Sequence, residues 1–512
     1  METTNSNEDV SVAIPQQAPA QVIPSSISTS TSSGSGTGAS GRGLVSNSTL
    51  HKQISLIVGT LKRNPLDPSI CQRALRALLL VLREDGATCC RQYEEALVDS
   101  MIPPLIAHPE DISLCETALS VLAILSESAT LSRSKSTLGS VLIYLLELHT
   151  EHPRSTYLLL CVLNNLAIDN LASDLCPRLT SVFIKLLNDT ERTQDTRLCT
   201  ALLGAVCNCS QSISPAPEEL VEAVVTALKS NGGDSSVLRV AAMALGNFVR
   251  QGEPTTGAVL RSCAVGRIAG FLRGNCRAIA SVADGNTSAS SSASLYAILA
   301  EVIGDIAAEA YATNDTSSVV AMEDVVAALL DVVRTHVGGA RACAQALRAL
   351  RILCAGASEN RKFALQNSGV EIVLGVAKEN LGRASLCVGA IRTLQNMVLL
   401  DDAQEVARKE GVIEFAGEAL KAFANVPKAC YHVMGLVASV AICEENKNVI
   451  KDTGIIESIV DALSYHRKTD SRICEQGCLA LSVIATNCND CLFVFFCCCF
   501  SLLNFVFFYS TS

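Results

Sequence analysis

The chain repeats itself about every 43 residues, and that period limits what it can fold into. Seven cysteines open the same apolar phrase: Cys71-Gln-Arg-Ala-Leu, Cys115-Glu-Thr-Ala-Leu, Cys199-Thr-Ala-Leu-Leu, Cys343-Ala-Gln-Ala-Leu, Cys387-Val-Gly-Ala-Ile, Cys430-Tyr-His-Val-Met and Cys474-Glu-Gln-Gly-Cys. Their separations of 44, 84, 144, 44, 43 and 44 residues are one, two, three, one, one and one steps of the period. Thr156, Leu238 and Tyr296 hold the same step in three further repeats. A fixed period in the forties marks a helical solenoid, in which each repeat buries its apolar face only against its neighbours. The register predicts that each cysteine starts the second half of a helix, where a small apolar side chain lets helices approach closely. Neighbouring repeats lie about 10 Å apart by helix packing distance, whereas the Cα atoms of a disulfide must fall within about 7 Å. The cysteines are therefore packing groups rather than redox or metal groups.

The chain has 512 residues, 49 % of them hydrophobic, which is ample for a core. Its 23 cysteines come without a secretory signal: residues 1–50 hold one basic residue, Arg42, and no continuous apolar stretch. That combination predicts a reducing compartment, cytoplasm or nucleus. A net charge of −10 gives no broad basic footprint, so no nucleic-acid partner is expected.

Residues 1–48 read as a disordered leader, since 16 of the 19 residues from Ser25 to Gly43 are Ser, Thr or Gly. Residues 49–490 carry the repeats. Aligning the most regular helical core of each gives ten copies, starting at Ala74, Ala118, Leu159, Leu202, Ala241, Leu299, Ala346, Ala390, Val433 and Gly477. Nearly all steps between them lie between 39 and 47 residues, and the one 58-residue step contains a polar insertion at about 276–293. The last repeats show their internal build, with Glu359-Asn-Arg-Lys-Phe…Gly369, Gln404-Glu-Val-Ala…Gly411 and Glu445-Asn-Lys-Asn-Val…Gly454. A short helix ends at glycine, which takes the left-handed conformation; a second helix starts at once and a long third helix follows. Residues 491–512 break the pattern, because seven of the chain's 13 phenylalanines and no charge fall between Cys491 and Tyr509. A membrane anchor is one reading of that tail. Translated non-coding sequence is the favoured one, since Phe, Cys, Leu, Ser and Val share uridine-rich codons and the switch comes mid-repeat.

This three-helix repeat resembles the armadillo repeat, over roughly residues 50–490. The resemblance implies an all-α, right-handed superhelical solenoid of about ten three-helix units; a two-helix HEAT array lacks the short helix–Gly–helix step. It also implies a protein-binding scaffold holding an extended partner segment along a concave groove. Regulation of a small GTPase or a chaperone through the same fold is the alternative, and nuclear-transport adaptor a further one. The seventh residue of the aligned third-helix core is Asn165, Asn208, Asn247, Asp305 and Asn396 in repeats three, four, five, six and eight. Armadillo arrays that bind peptides carry asparagine there, and a carboxamide donates and accepts at once; the alternative is that these asparagines tie neighbouring helices or loops together. The import adaptors add a tryptophan four residues earlier, where this chain has Cys161, Gly204, Met243, Glu301 and Arg392, and the chain contains no tryptophan. Arg76, Arg348 and Arg392 at that third place, with Arg351 nearby, are either sites for acidic or phosphorylated ligands near the two ends or simply solvated arginines.

No G-x-x-x-x-G-K-[ST], H-E-x-x-H or G-x-S-x-G motif is present, and Cys488-Asn-Asp-Cys491 lacks a second pair of ligands. A non-catalytic protein with no cofactor and no metal is expected, and a membrane partner only if the tail is genuine.

Overall fold

The computed structural model describes residues 47–85, 93–128, 135–166, 175–231, 233–252, 254–262, 264–281, 289–312, 322–335, 339–466 and 470–486. Among these residues 25 helices and no strand occur. The first three repeats give α1 (Asn47–Arg63) and α2 (Pro68–Asp85), α3 (Glu94–Ala107) and α4 (Ile112–Ser128), and α5 (Lys135–Leu148) and α6 (Pro153–Leu166). The fourth gives α7 (Leu175–Asn188), a one-turn α8 (Thr190–Gln194) and α9 (Thr196–Cys209), and the fifth α10 (Glu218–Ser230) and α11 (Ser235–Val249). The sixth has α12 (Thr255–Arg261), α13 (Ala264–Ser281) and α14 (Ala289–Ala312), and the seventh α15 (Glu323–Thr335) and α16 (Ala340–Gly356). The last three are complete trios: α17 (Ser358–Gln366), α18 (Gly369–Glu379) and α19 (Ala384–Met397); α20 (Asp401–Glu410), α21 (Val412–Ala422) and α22 (Pro427–Val440); α23 (Glu444–Asp452), α24 (Ile455–His466) and α25 (Ser471–Ala485).

Of the leader, only Asn47 and Ser48 are described, and they begin α1; the tail at 491–512 lies outside the described residues. Helix enters the polar insertion from both sides, α13 running through Ser281 and α14 starting at Ala289.

The described residues group into two compact bodies, one up to residue 186 with 204–213, the other made of 187–203 and 214 onward. In the first body the third helices α2, α4 and α6 pack in succession. In the second, α11, α14, α16, α19, α22 and α25 do so, each against the next. The pattern of one helix shows why. In α16, Cys343, Ala346, Leu347, Leu350, Leu353 and Cys354 recur at helical spacing, and all are buried.

The cysteine step has a second purpose that the period did not reveal. Cys71, Cys115, Cys199, Cys343, Cys387, Cys430 and Cys474 are each the fourth residue of their helix, not the start of its second half. Several of these helices begin one residue after an aspartate cap, as where Asp111 Oδ1 accepts from the Leu114 amide at 3.0 Å and Asp67 Oδ1 from Ile70 at 3.0 Å. From the first turn the thiol reaches back seven residues. Cys71 donates to the Asn64 carbonyl at 3.1 Å, Cys115 to His108 at 3.6 Å and Cys430 to Phe423 at 3.2 Å. In the third repeat the Thr156 hydroxyl does the same to His149 at 2.9 Å. Each accepting residue directly follows the second helix of its repeat, where the last carbonyls have no intrahelical partner. Burial pushes the Cys115 and Cys199 thiols up to about 12 and those of Cys343, Cys387 and Cys430 up to about 11, so they stay protonated and able to donate.

The turn between short and second helix follows expectation at Gly411 (φ 81°) and Gly454 (φ 70°). In the eighth repeat the left-handed residue is Ser368 (φ 57°), one place before the expected Gly369. Gly369 is needed for closeness: a methyl there would sit 2.6 Å from the Ala364 carbonyl oxygen.

Replacing Cys430 by Val keeps the volume and removes the donor, and should lower stability by about 1 kcal/mol. Cys430→Thr, which copies the third repeat, should restore most of it. Cys387→Arg, which puts a charge into a fully buried site, should lower the melting temperature far more than either. Thermal unfolding followed by circular dichroism separates the three.

Candidate partner-binding face

The seventh place of the third-helix core makes a repeated contact. In the first body, the Asn208 Nδ2 donates to the Asn164 carbonyl at 2.8 Å and to its Oδ1 at 3.1 Å, and Asn165 Nδ2 donates to Ser126 Oγ at 3.0 Å and to the Ala123 carbonyl at 3.5 Å. In the second body, Asn396 Nδ2 donates to the Arg351 carbonyl at 2.9 Å. Ala123, Asn164 and Arg351 all hold the sixth place of the preceding core, so one rule covers the three asparagines. The carboxamide nitrogen ties each third helix to the main chain of the one before. A carboxamide nitrogen carries two N–H donors, so the single bond from Asn396 uses one of them.

Asn247 Oδ1 also accepts from Nη1 of Arg250, the residue that follows α11, at 3.2 Å. Asp305 has no N–H to donate, and an ion pair replaces the amide tie: Arg250 Nη2 meets one carboxylate oxygen at 2.6 Å and Arg348 Nη1 the other at 2.9 Å. Glu301, one turn earlier, lies 3.6 Å from Arg250 and 3.9 Å from Arg341. The five residues are thus a pair in the first body, a charged chain across α11, α14 and α16 in the second, and Asn396 two repeats beyond Asp305.

At the third place, where the import adaptors carry tryptophan, Gly204 lies under the Asn164 side chain; a methyl on it would come 2.6 Å from Asn164 Nδ2. The sixth place of one core thus covers the third place of the next. Arg76 is exposed on α2. Arg348 is taken up by Asp305. Arg392 pairs with no carboxylate among the described residues, nor do Arg351 or Lys428.

These unpaired cations influence one another. Arg351, half-buried on α16, is pushed down to about 10 by burial and then by the Arg392 and Arg348 charges. His432, on α22 one residue before its core, is pushed down to about 4 by burial and then by Arg392, Lys428 and Arg351. His432 and Lys428 escaped the sequence reading because neither recurs at its step; the signal lay only in their spacing of about one repeat from Arg392.

Sequence reading also missed a buried row in the short helices. Asn446 Nδ2 donates to Gln404 Oε1 at 2.9 Å and to the Val440 carbonyl at 2.9 Å, Gln404 Nε2 to the Ser439 carbonyl at 3.1 Å, and Asn360 Nδ2 to the Leu353 carbonyl at 3.2 Å. These amides close the ends of the preceding third helices and belong to the framework. Among the described residues no cluster of three or more His, Cys, Asp or Glu is placed to hold a metal, and no helix is long and apolar enough to cross a membrane.

No protein-family model matches the chain, and no curated protein does. Solved structures do. One, from work on a phosphorylation switch that controls the interaction between cadherin and beta-catenin, aligns at TM-score 0.63 and 12 % identity over 86 % of this chain and 85 % of that one. The crystal structure of SYS-1 aligns at TM-score 0.56 and 10 % identity over 86 % of each chain. Both are armadillo-repeat proteins. The fold is an all-α, armadillo-type solenoid.

Two measurements check this face. Asn396→Ala and Asn208→Ala should each lower stability by about 1 kcal/mol through the lost inter-helix bond, and Gly204→Ala should lower it as well by displacing Asn164. The His432 site binds the neutral imidazole, since its folded value of about 4 lies below the ordinary value of 6.5. Between those two pH values the unfolded chain takes up a proton that the folded chain refuses, so stability falls as pH drops through that window. His432→Gln should flatten that part of the acid unfolding curve.

Proposed function

We propose that this chain is a non-catalytic scaffold that binds an extended protein segment along the third-helix face of its second body. The observation that carries the proposal is the group Arg351, Arg392 and Lys428, which has no carboxylate partner among the described residues while its neighbours Arg250 and Arg348 are matched to Asp305. Half-buried guanidiniums beside like charges are costly unless an external anion completes them. The armadillo-fold neighbour whose partner is cadherin supports a protein ligand. A basic localisation signal would meet like charges here, which disfavours the import-adaptor reading. Regulation of a small GTPase or chaperone finds no observation of its own. The phrase Gly454-Ile-Ile-Glu-Ser-Ile-Val followed by Ile473-Cys-Glu-Gln-Gly-Cys-Leu-Ala-Leu resembles armadillo repeat-containing protein 6, and cytoplasm or nucleus is the proposed location.

On this reading the Asn396 oxygen is offered to the backbone of the segment. With about 10 Å per repeat and about 3.3 Å per extended residue, successive third helices meet every third ligand residue. A photo-crosslinking side chain placed at 396 should capture extended segments of partner proteins from cell extract, while the same group at the exposed Glu418 of α21 should not. Equal capture at both positions, or none at 396, overturns the proposal.

A further inference from the structure

We propose that Arg351, Arg392 and His432, contributed by three successive third helices, form a subsite for a doubly charged oxyanion: the phosphate of a phosphorylated side chain within the bound segment. The inference rests on the scaffold reading and adds to it the chemical class of one ligand group. Arg351 holds the sixth place of the α16 core and Arg392 the third place of the α19 core. Those are the steps at which Asn164 lies over Gly204, and at which Gln395 of α19 lies within 2.9 Å of a methyl built on Gly435 of α22. The repeat therefore directs Arg351 onto Arg392, two guanidiniums from different helices that pair with no acid among the described residues. His432 follows on α22, with Lys428 one turn before it and the Tyr431 ring beside it at 5.1 Å between centroids.

The chain itself shows what such a place takes. Asp305 sits between Arg250, just past the end of α11, and Arg348 of α16, and bonds one guanidinium with each oxygen. That carboxylate is shared between two arginines and has Glu301 beside it to balance the charge. At Arg351 and Arg392 no carboxylate among the described residues takes either part. One carboxylate would neutralise only half of the two permanent charges, whereas a phosphate dianion matches both, and the planar guanidinium fork suits its oxygens. His432 then adds a ring nitrogen that is neutral in the empty site and takes a proton once the anion offsets the surrounding positive charge.

The test uses the full chain with three probes: sulfate, which keeps two charges across the pH range, a ten-residue Gly/Ser peptide with one phosphoserine, and the same peptide with serine or glutamate at that position. In saturating sulfate the titration midpoint of His432, followed by NMR and assigned with His432→Gln, should rise by about one pH unit or more. The phosphoserine peptide should bind about tenfold or more tightly than either counterpart, and Arg351→Gln and Arg392→Gln should each remove that preference. Arg267→Gln, at an exposed position on α13, is the control for non-specific charge and should leave it intact. The inference is overturned if sulfate leaves His432 unmoved, if the glutamate peptide binds as well as the phosphoserine one, or if Arg267→Gln weakens binding as much as Arg392→Gln. Segment capture at 396 that survives those outcomes would leave the scaffold reading standing and remove only the phosphate subsite.

Discussion

The ends of α-helices leave main-chain carbonyls without partners, and a solenoid built from 25 described helices must close a great many of them. This chain closes them with side chains borrowed from the next element along. A thiol or hydroxyl at the fourth position of the third helix closes the second helix of the same repeat; an amide in the short helix closes the third helix before it. The packing of apolar stripes decides that helices stack. These donors decide where each helix stops and how its successor leaves it.

The same economy explains why the third-helix face is only partly open. A carboxamide at the seventh place spends its nitrogen on the preceding helix, so a residue type suited to reading a ligand is first of all a joint. Where aspartate stands instead, the joint becomes ionic and draws in arginines from both sides. Arg250, Asp305 and Arg348 are thereby matched to one another. Arg351, three residues further along α16, and Arg392 on α19 have no carboxylate partner among the described residues.

The repeat, its helical content and its armadillo-type build were legible because seven cysteines mark a single register. The helix boundaries were not: a period locates a step but says nothing of where the polar cap before it lies, and the cysteines sit in the first turn as a result. Recurrence of asparagine at the seventh place was equally visible, yet recurrence carries no direction, and only coordinates show the nitrogen turned towards Asn164 or Arg351 rather than outward. Asp305 looked like a conservative member of that row. Its lack of a donor made it the centre of a different network. His432 stands alone at its step and gave no pattern to find.

The bridge at Asp305 also sets a threshold. Arg348 is shared property: one of its neighbours on the same helix is the unmatched Arg351, and its own charge contributes to holding Arg351 down. On the proposed reading, an anion extending along the face from Arg392 towards α14 would compete with Asp305 for the Arg348 guanidinium. A ligand with several charged groups would then reach further than one with a single group, and would loosen the ionic joint between α14 and α16 as it did so.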